Sequence, residues 1–281
     1  MKSAIYICTH GRPSKQITHR MLRKAGYTGE IVLVIDNEDE HGKGYLEFVK
    51  GEDNTRIHVF DKRKIIDSTN TTNYPPNRKT ILYAKNACEQ FAKEDNCDCF
   101  VICDDDIPGF RYRYVEGKSC KSLTISDNMD QIIDSHYKFL IESNVAATSF
   151  GIAQFYFTGA NCFNNDNMQK WRIPYTFVFR NIQHSIDWVS DYGEDITTSI
   201  EQSRHGQFQC AMPFVQMNLS PMGVGDGGMV ELHKDTFRLA EYGHVWHPDC
   251  EQIKYYKDHW MSTIERDKAF PKLISSSFKK I

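Results

Sequence analysis

The chain lacks the features that would mark a membrane protein or a zinc module. None of its apolar runs approaches the roughly 20 residues that a helix needs to cross a bilayer. Its nine cysteines are scattered and form no Cys-x-x-Cys pair. The start, MKSAIYICTHGR, has the pattern of a strand and a loop rather than a secretion signal. We therefore expect a cytoplasmic protein with reduced thiols and no membrane partner.

A large excess of charge of one sign is also missing. The formal net charge of −3 argues against a protein that binds nucleic acid over its whole surface, although it allows a local basic groove. The sequence has no G-x-G-x-x-G after its first apolar run and no G-x-x-x-x-G-K-[ST] anywhere, and the glycine-rich stretch at 223–228 lies far from that first run. Dinucleotide-binding and P-loop proteins are therefore disfavoured.

Apolar runs and helical patterns alternate through the first half of the chain. Strands are predicted at 3–9, 30–36, 56–62 and in CFVICDDD at 99–106, and helices at 14–26 and 79–96. The long segment 62–80 has the composition of a loop. This order predicts an α/β fold with a mainly parallel central sheet, helices on both faces and right-handed crossovers. Ligands of such sheets bind at the carboxyl ends of the strands.

The second half is less regular, and no linker rich in proline, glycine or serine divides it from the first. We expect a helix from a cap at Asp127 to about Asn144, with apolar residues facing inward. Those residues are Ile132, Ile133, Tyr137, Leu140 and Ile141. The remaining patterns predict strands at 145–157, 174–182 and 207–218, a helix at 193–206 and a flexible loop at 223–228.

Three adjacent carboxylates, Asp104, Asp105 and Asp106, end the apolar run FVIC. Carboxylates this close repel each other and raise one another's pKa, so a cation is expected beside them. Side chains alternate along a strand, which places Asp104 and Asp106 on one face. Such a pair suits Mg²⁺ or Mn²⁺, ions that also bind phosphate oxygens. An acidic turn capped by aspartate is the alternative.

Several motifs in series resemble the GT-A class of nucleotide-sugar glycosyltransferases. They are THGRP after the first strand, VID at the end of the second, AKNACEQFAKEDNCDCFVICDDD, and GEDITTSIEQSRHGQFQC. Lys85 and Asn86 lie about 20 residues before Asp106, and Glu194 and Asp195 about 90 residues after it. The likeness spans roughly residues 3–215. The THGRP opening and the chain length are most similar to the TET-associated glycosyltransferases of phages, which put a sugar on hydroxymethylated pyrimidines in DNA.

The resemblance implies a GT-A-like fold in a single domain over residues 1–281. Its nucleotide-sugar-binding half would be 1–110 and its acceptor-binding half 111–281. The implied reaction moves a sugar from a UDP-sugar to 5-hydroxymethylcytosine in phage DNA, with Mn²⁺ or Mg²⁺ as cofactor, in the host cytoplasm if a phage encodes the chain. Two rivals stay open, namely transfer to a protein or small-molecule acceptor, and a non-catalytic nucleic-acid-binding module on the same fold.

The resemblance also assigns catalytic and metal-binding roles. An acceptor hydroxyl has a high pKa, so an enzyme that inverts the sugar's configuration needs a base, for which Asp195 is the candidate, with Glu194 beside it. In an enzyme that retains the configuration, Asp195 would instead orient the acceptor or the donor. A helix start that simply favours acidic residues is the alternative. Asp104 and Asp106 are the expected metal ligands, and His247 in the HVWH stretch is a candidate third ligand.

Expected contacts of the nucleotide lie at the ends of the first-half strands. The candidates are Thr9, Arg12, Asp36, Arg78, Lys85, Asp104 and Asp105. In the GT-A class the base and ribose are contacted after the first strand, where Thr9 and Arg12 stand. Asp36 ends the second strand and could accept a hydrogen bond from uracil or ribose. For Lys85 and Arg78 a solvated surface charge is the alternative.

A basic and aromatic stretch, FRYRYVEGKSCK at 110–121, follows the aspartates directly. An enzyme can modify a base in duplex DNA only if the base is flipped out of the stack. Cationic and aromatic side chains along a cleft can hold the strand while this happens. We therefore expect Arg111 and Arg113 to contact DNA phosphates, with ordinary surface charge as the alternative.

Overall fold

The structure, a computed structural model, describes residues 1–71, 76–164, 174–220 and 236–270. The strands of the main sheet are β1 (Ser3–Cys8), β2 (Ile31–Asp36), β3 (Thr55–Phe60), β4 (Cys99–Asp104), β5 (Phe110–Glu116), β6 (Ser119–Thr124), β7 (Ala147–Gly151), β8 (Phe177–Asn181) and β9 (Gln209–Met217). The helices are α1 (Ile17–Lys24), α2 (Gly42–Lys50), α3 (Lys62–Ser68), α4 (Leu82–Glu94), α5 (Met129–Ser143), α6 (Glu194–Arg204), α7 (Thr236–Trp246) and α8 (Arg266–Ala269). A separate hairpin consists of β10 (Glu251–Tyr256) and β11 (His259–Ile264).

The main sheet has nine strands in the order β3-β2-β1-β4-β8-β7-β9-β5-β6. The first four strands in this order pair in parallel, as does β7 with β9. Strand β8 lies antiparallel between β4 and β7, and β5 is antiparallel to both β9 and β6. The predicted α/β fold is therefore confirmed, and one sheet takes strands from both halves of the chain.

Helices cover both faces of the sheet, which explains why its inner strands are continuously apolar. Ile5 and Ile7 of β1 pack into a cluster with side chains of α1, α2 and α5. Tyr6 and Cys8 point to the opposite face and pack with side chains of α3 and α4. Alternating side chains of a strand covered on both faces all need to be apolar. In β1, β2 and β4 the polar positions are thereby confined to the ends of the strands, where the candidate site lies.

Two helices of the first half were not predicted. Helix α2 contains Gly42 and Gly44 and fully buries only Tyr45 of its nine residues, so its apolar periodicity is weak. Helix α3 occupies the start of the segment 62–80 that was predicted to be a loop. Its first turn is capped by Asp61, whose carboxylate accepts a hydrogen bond from the Lys64 backbone N–H at 3.1 Å.

The predicted elements of the second half are present but differ in extent. The strand predicted at 145–157 ends at Gly151, and a 3₁₀ turn, Ala153–Tyr156, follows it. Helix α5 has Asn128, not Asp127, at its cap position, and its buried side chains follow a stripe from which Ile141 is excluded. That stripe consists of Met129, Ile133, His136, Tyr137 and Leu140. The loop predicted at 223–228 lies outside the described residues.

All nine cysteines are free thiols, in keeping with the sequence-based expectation. The Sγ atoms of Cys8 and Cys88 lie 3.6 Å apart.

Within the described ranges, no helix combines the length and apolar character that crossing a membrane requires.

Candidate active site

Polar side chains gather at the carboxyl edge of the parallel strands, as predicted. Strands β1, β2 and β4 run in the same direction, so Thr9, Asp36 and Asp104 all stand at that edge. Asp104 pairs in register with Cys8, the residue before Thr9. This edge is where doubly wound α/β sheets bind ligands.

Side chains from distant segments fix the backbone of the three aspartates. At the start of α1, the Thr18 hydroxyl donates to the Asp104 carbonyl at 2.6 Å and the Thr18 N–H donates to the Asp105 carbonyl at 3.0 Å. The same hydroxyl accepts from the Ile107 N–H at 2.9 Å, and the Ser220 hydroxyl donates to the Asp106 carbonyl at 2.7 Å. The turn is thus held in one conformation before any ligand binds.

The Asp104 carboxyl is suited to a cation. Its Oδ1 atom is buried and has no hydrogen-bond partner among the described residues, which leaves a lone-pair site open. Burial, together with the charges of Asp106 and Glu194, raises the pKa of Asp104 to about 7, against the opposing effect of the Lys85 ammonium. A buried carboxyl crowded by two others releases its proton readily only when a positive charge approaches. Asp104 and Asp106 therefore fit a divalent cation.

Lys85 of α4 is buried next to Asp104 instead of lying on the surface. It is 3% exposed, and its Nζ donates to Glu194 Oε1 at 2.8 Å. Burial alone would lower the pKa of Lys85, but the carboxylates of Glu194 and Asp104 raise it above its usual value, so the ammonium stays charged. The surface-charge alternative is wrong, and the ammonium faces carboxylates where a phosphate contact was predicted.

The start of α6 brings Glu194 and Asp195 to the same place. Gly193 precedes the helix with φ of +58°, a left-handed conformation that favours glycine. Glu194 is buried and turned toward Lys85, whereas Asp195 is half-buried. Both carboxylates lie in the first helical turn, where the helix dipole favours negative charge. Of the two predicted catalytic acids, Asp195 is thus the more exposed, and its predicted role as base stays a prediction.

Asp105 lies one residue beyond the end of β4, in a turn, where contacts from the segment after β1 hold its side chain. Its Oδ2 accepts from the Thr9 hydroxyl at 2.6 Å and its Oδ1 pairs with Arg12 Nη2 at 2.9 Å. Burial raises the pKa of Asp105 to about 6, against the effects of Arg12 and Thr9. Thr9 also accepts a hydrogen bond from Gln16 at 2.9 Å. These contacts bind the three residues to one another, and they give no support to the predicted nucleotide contacts of Thr9, Arg12 and Asp105.

Asp36 belongs to a second polar cluster at the same edge. Its Oδ2 lies 2.9 Å from His10 Nδ1 and 3.4 Å from Lys62 Nζ. Burial acts to raise the pKa of Asp36, but the bond from His10 and the charge of Lys62 hold it below the usual value. Asp39 accepts from the Gly11 N–H at 2.7 Å and lies 3.6 Å from His10. The Oδ1 of Asp36 accepts from the Glu38 N–H at 3.0 Å, so the predicted contact of Asp36 with uracil or ribose stays a prediction.

Arg78 stands near this second cluster. Its guanidinium forms an ion pair with Glu38, which follows β2 by two residues. Both side chains are about half exposed. Arg78 therefore remains accessible to a ligand, and its predicted nucleotide contact stays a prediction.

His247 does not contact the aspartates. Its Nε2 lies 3.4 Å from the Thr197 carbonyl and its Nδ1 lies 3.5 Å from Glu201 Oε1, both on α6. Burial lowers the pKa of His247, so the ring is neutral. Among the described residues, no group of three His, Cys, Asp or Glu side chains is arranged to hold a metal. The contacts of His247 thus give no support to its predicted role as third ligand.

The basic stretch forms the β5–β6 hairpin at one edge of the sheet. Arg111 and Arg113 share a face of β5, since they are two residues apart on a strand. The Arg113 Nε donates to Gln216 Oε1 at 2.6 Å, and its guanidinium lies 4.4 Å from the centre of the Tyr156 ring. The protein itself therefore holds Arg113, and the predicted phosphate contact rests mainly on Arg111.

Sequence reasoning missed several residues of this edge. His10 belongs to the THGRP motif. A polar residue directly after a strand is a local sign of a binding site, and this sign could have identified His10. Tyr45 lies on the unpredicted helix α2, and its hydroxyl accepts from the Arg12 N–H at 2.9 Å. The ring centre of Trp188 lies 4.8 Å from the Lys85 ammonium, and no local sequence pattern predicts this long-range contact.

Comparison with known proteins supports the sequence resemblance. The family model described as TET-Associated Glycosyltransferase matches residues 3–222. A search of curated protein sequences gives no match. The solved structure of S. aureus TarS 1–349 in complex with UDP has 13% sequence identity and a TM-score of 0.47, over 88% of this chain and 72% of that one. The same fragment with UDP-GlcNAc gives 13% and 0.44, over 87% and 72%.

The whole S. aureus TarS chain gives 14% identity and a TM-score of 0.44, over 89% of this chain and 44% of that one. The family model is the more informative finding, because it matches most of the chain, from the start of β1 to beyond the end of β9. The matched range contains the three aspartates, Lys85 and the start of α6. This chain belongs to the TET-associated glycosyltransferase family and is a glycosyltransferase.

Proposed function

We propose that this glycosyltransferase moves a sugar from a UDP-sugar to a hydroxymethylated base, 5-hydroxymethylcytosine, in phage DNA, with a divalent metal ion at its aspartates. One observation carries the proposal. Asp104, Lys85 and Glu194 meet at the carboxyl edge of the sheet, and Asp195 lies beside them at the start of α6. A site for the donor diphosphate and a candidate base are thereby neighbours.

Asp104 and Asp106 would hold the metal ion, Mn²⁺ or Mg²⁺. The unpartnered Oδ1 of Asp104 supports this assignment. When bound, the ion neutralises the charge that builds up on the UDP leaving group as the glycosidic bond breaks. Two protein carboxylates are enough for Mg²⁺-like ions, which complete their coordination with water and phosphate oxygens.

The protein's own residues supply the remaining steps. Asp195 accepts the proton of the acceptor hydroxyl as that oxygen attacks the sugar. The positive charge of Lys85 offsets the negative charge of Glu194. The two acids at the start of α6 can therefore lie close to the carboxyl of Asp104. Asp36, flanked by His10 and Lys62, offers a polar contact for uracil or ribose.

The acceptor is proposed on weaker grounds than the donor. Family membership supports a hydroxymethylated DNA base, and the β5–β6 hairpin adds cationic groups beyond the metal strand, with Arg111 among them. A protein or a small molecule as acceptor is the rival. No feature of the described residues favours that rival specifically.

A donor screen tests the reaction and an acceptor screen tests the substrate. The purified protein is incubated with UDP-glucose, UDP-N-acetylglucosamine and other UDP-sugars with Mn²⁺, and released UDP is measured. Duplex DNA with and without 5-hydroxymethylcytosine is then compared by mass spectrometry. Release of UDP without sugar on either DNA would refute the DNA acceptor while leaving the transferase proposal intact. No UDP release from any donor would refute the proposal of a UDP-sugar donor.

Asp195→Asn tests the base. The change keeps the size of the side chain and removes the proton acceptor, so kcat should fall by about 10²-fold or more while the donor KM changes little. Asp61→Asn is the matched control, since Asp61 caps a different helix and should leave kcat within about twofold. Normal turnover by Asp195→Asn would return this residue to the role of an ordinary helix-start acid.

A further inference from the structure

One side of α4 surrounds the buried indole of Trp188. The Asn86 side chain accepts from the Trp188 N–H at 2.8 Å and donates to the Trp188 carbonyl at 3.0 Å. Glu89 accepts from the indole Nε1–H at 3.4 Å, and the Lys85 ammonium lies 4.8 Å from the ring centre. Trp188 is fully buried. Three neighbouring residues of one helix thus hold both the backbone and the ring of Trp188.

Trp188 begins the irregular segment 188–193 that leads into α6. Residues 188–192 are buried yet have no helix or strand conformation. Ser190 has φ of +74°, which is unusual for a residue other than glycine, and Gly193 has φ of +58°. Buried peptide groups need hydrogen-bond partners, and without a sheet or helix the side chains must supply them. Asn86 supplies both partners for the Trp188 residue, as a neighbouring strand would.

The other end of the same connection is held by Glu89. Its Oε2 accepts from the Ser185 hydroxyl at 3.0 Å, and its Oε1 pairs with Arg180 Nε at 3.0 Å. Arg180 is fully buried in β8 and also donates to the His184 carbonyl at 2.7 Å. Glu89 therefore fixes the chain both before Trp188 and at its ring.

We propose that Asn86 and Glu89 are positioning residues, which act through Trp188 to hold the start of α6, and thus Asp195, against the donor site. This inference rests on the proposed role of Asp195 as base. Segment 188–193 spans the distance between the α4 contacts and the acids of α6. A shift of about 1 Å at such a base can cost about 10²-fold in rate. The AKN motif thereby gains a function for its asparagine, beside Lys85, which holds Glu194.

The test separates positioning from simple stability. Asn86→Ala removes both bonds to Trp188 and should lower kcat for UDP-sugar turnover at least about 10-fold, with the donor KM within about twofold. Trp188→Phe keeps an aromatic ring and loses only the bond to Glu89, so its loss should be smaller. Gln90→Ala is the control on the same helix, because Gln90 is exposed and, within the described part of the chain, its side chain bonds only Glu94. It should change neither constant.

A double variant, Asn86→Ala with Asp195→Asn, identifies the residue through which Asn86 acts. If Asn86 works by placing Asp195, the double variant should turn over no more than about threefold slower than Asp195→Asn alone. Losses that multiply, or an Asn86→Ala enzyme with normal kcat, would overturn the inference. Asp195→Asn alone reports on the base. If it is inactive while Asn86→Ala is normal, only the positioning role fails; if it is fully active, the base assignment itself fails.

Asn86→Asp guards against misfolding of the alanine variant. It keeps the volume and the acceptor for the Trp188 N–H but replaces the donor by a carboxylate facing the Trp188 carbonyl. It should fold, as judged by circular dichroism and thermal unfolding, and should still show the selective loss of kcat. A folded Asn86→Asp enzyme with normal kcat would also refute the proposal.

Discussion

Replacing Asp104 by asparagine should stabilise the metal-free protein at neutral pH while abolishing its activity. The carboxyl is enclosed beside Asp106 and Glu194, with Lys85 as its counter-charge, and its pKa lies near 7. In the unfolded chain the pKa of an aspartate is near 3.8. Ionisation at pH 8 therefore costs more in the folded protein than in the unfolded chain. An asparagine of nearly the same shape carries no charge and avoids that cost.

The magnitude follows from the two pKa values. One unit of pKa corresponds to about 1.4 kcal/mol, so the rise from 3.8 to about 7 destabilises the folded protein by about 4 kcal/mol at pH 8. Since Asp104 is not completely enclosed, this is the upper end. As the pH falls, the folded protein takes up the proton on Asp104 near pH 7, and the unfolded chain takes it up only near pH 3.8. The cost shrinks to about 2 kcal/mol at pH 5, and wild-type stability rises accordingly.

Urea unfolding in EDTA measures the effect. The free energies of unfolding of wild type and Asp104→Asn are compared at pH 8 and pH 5. Asp134→Asn is the control, since Asp134 is an exposed aspartate on α5 whose surface ion pair with Lys138 is screened by solvent and contributes little. Equal or lower stability of Asp104→Asn at pH 8 would refute the reasoning, as would a gain that does not shrink at pH 5.

Two further predictions concern the metal and the acceptor. Asp106→Ala should remove most of the activity, because it removes one of the two carboxylates that would hold the metal ion. Chelation of the wild-type enzyme should have the same effect, because it removes the ion itself. Full turnover in excess EDTA would rule the metal out. Arg111→Ala should weaken DNA binding and lower the slope of log K against log salt by about 0.9, the contribution of one phosphate contact. Identical slopes for wild type and variant, measured at several salt concentrations with Lys138→Ala as control, would exclude that contact.

The sequence predicted the parts of the fold that depend on local periodicity. The runs ending in VID and FVICD became β2 and β4, since strands covered on both faces need apolar residues at every position. The acidic helix start at Glu194 was also predicted correctly, because glycine before it and acids in its first turn are local signals. The carboxyl ends of parallel strands meet at one edge, so the position of the candidate site followed from the order of elements.

Partners far apart in the chain were beyond sequence reasoning. Lys85 was weighed as a surface charge because its helix offers no sign that Glu194, 109 residues away, accepts from it. Thr9 and Asp105 are 96 residues apart, so no local pattern could predict the hydrogen bond between their side chains. Helix α2 escaped prediction because two glycines obscure its pattern and one buried tyrosine fixes it to the sheet. Such contacts depend on tertiary packing, which overrides local propensity.

The balance of charge at the site is the strongest physical argument for a metal ion. Asp104, Asp106, Glu194 and Asp195 gather at one edge, and Lys85 lies among them, with its bond given to Glu194. Arg12, the next cation along that edge, is already paired with Asp105. A donor diphosphate brings further negative charge to this place and would be repelled. A divalent cation held by Asp104 and Asp106 would offset that repulsion. Donor affinity, and not only turnover, should therefore depend on the metal.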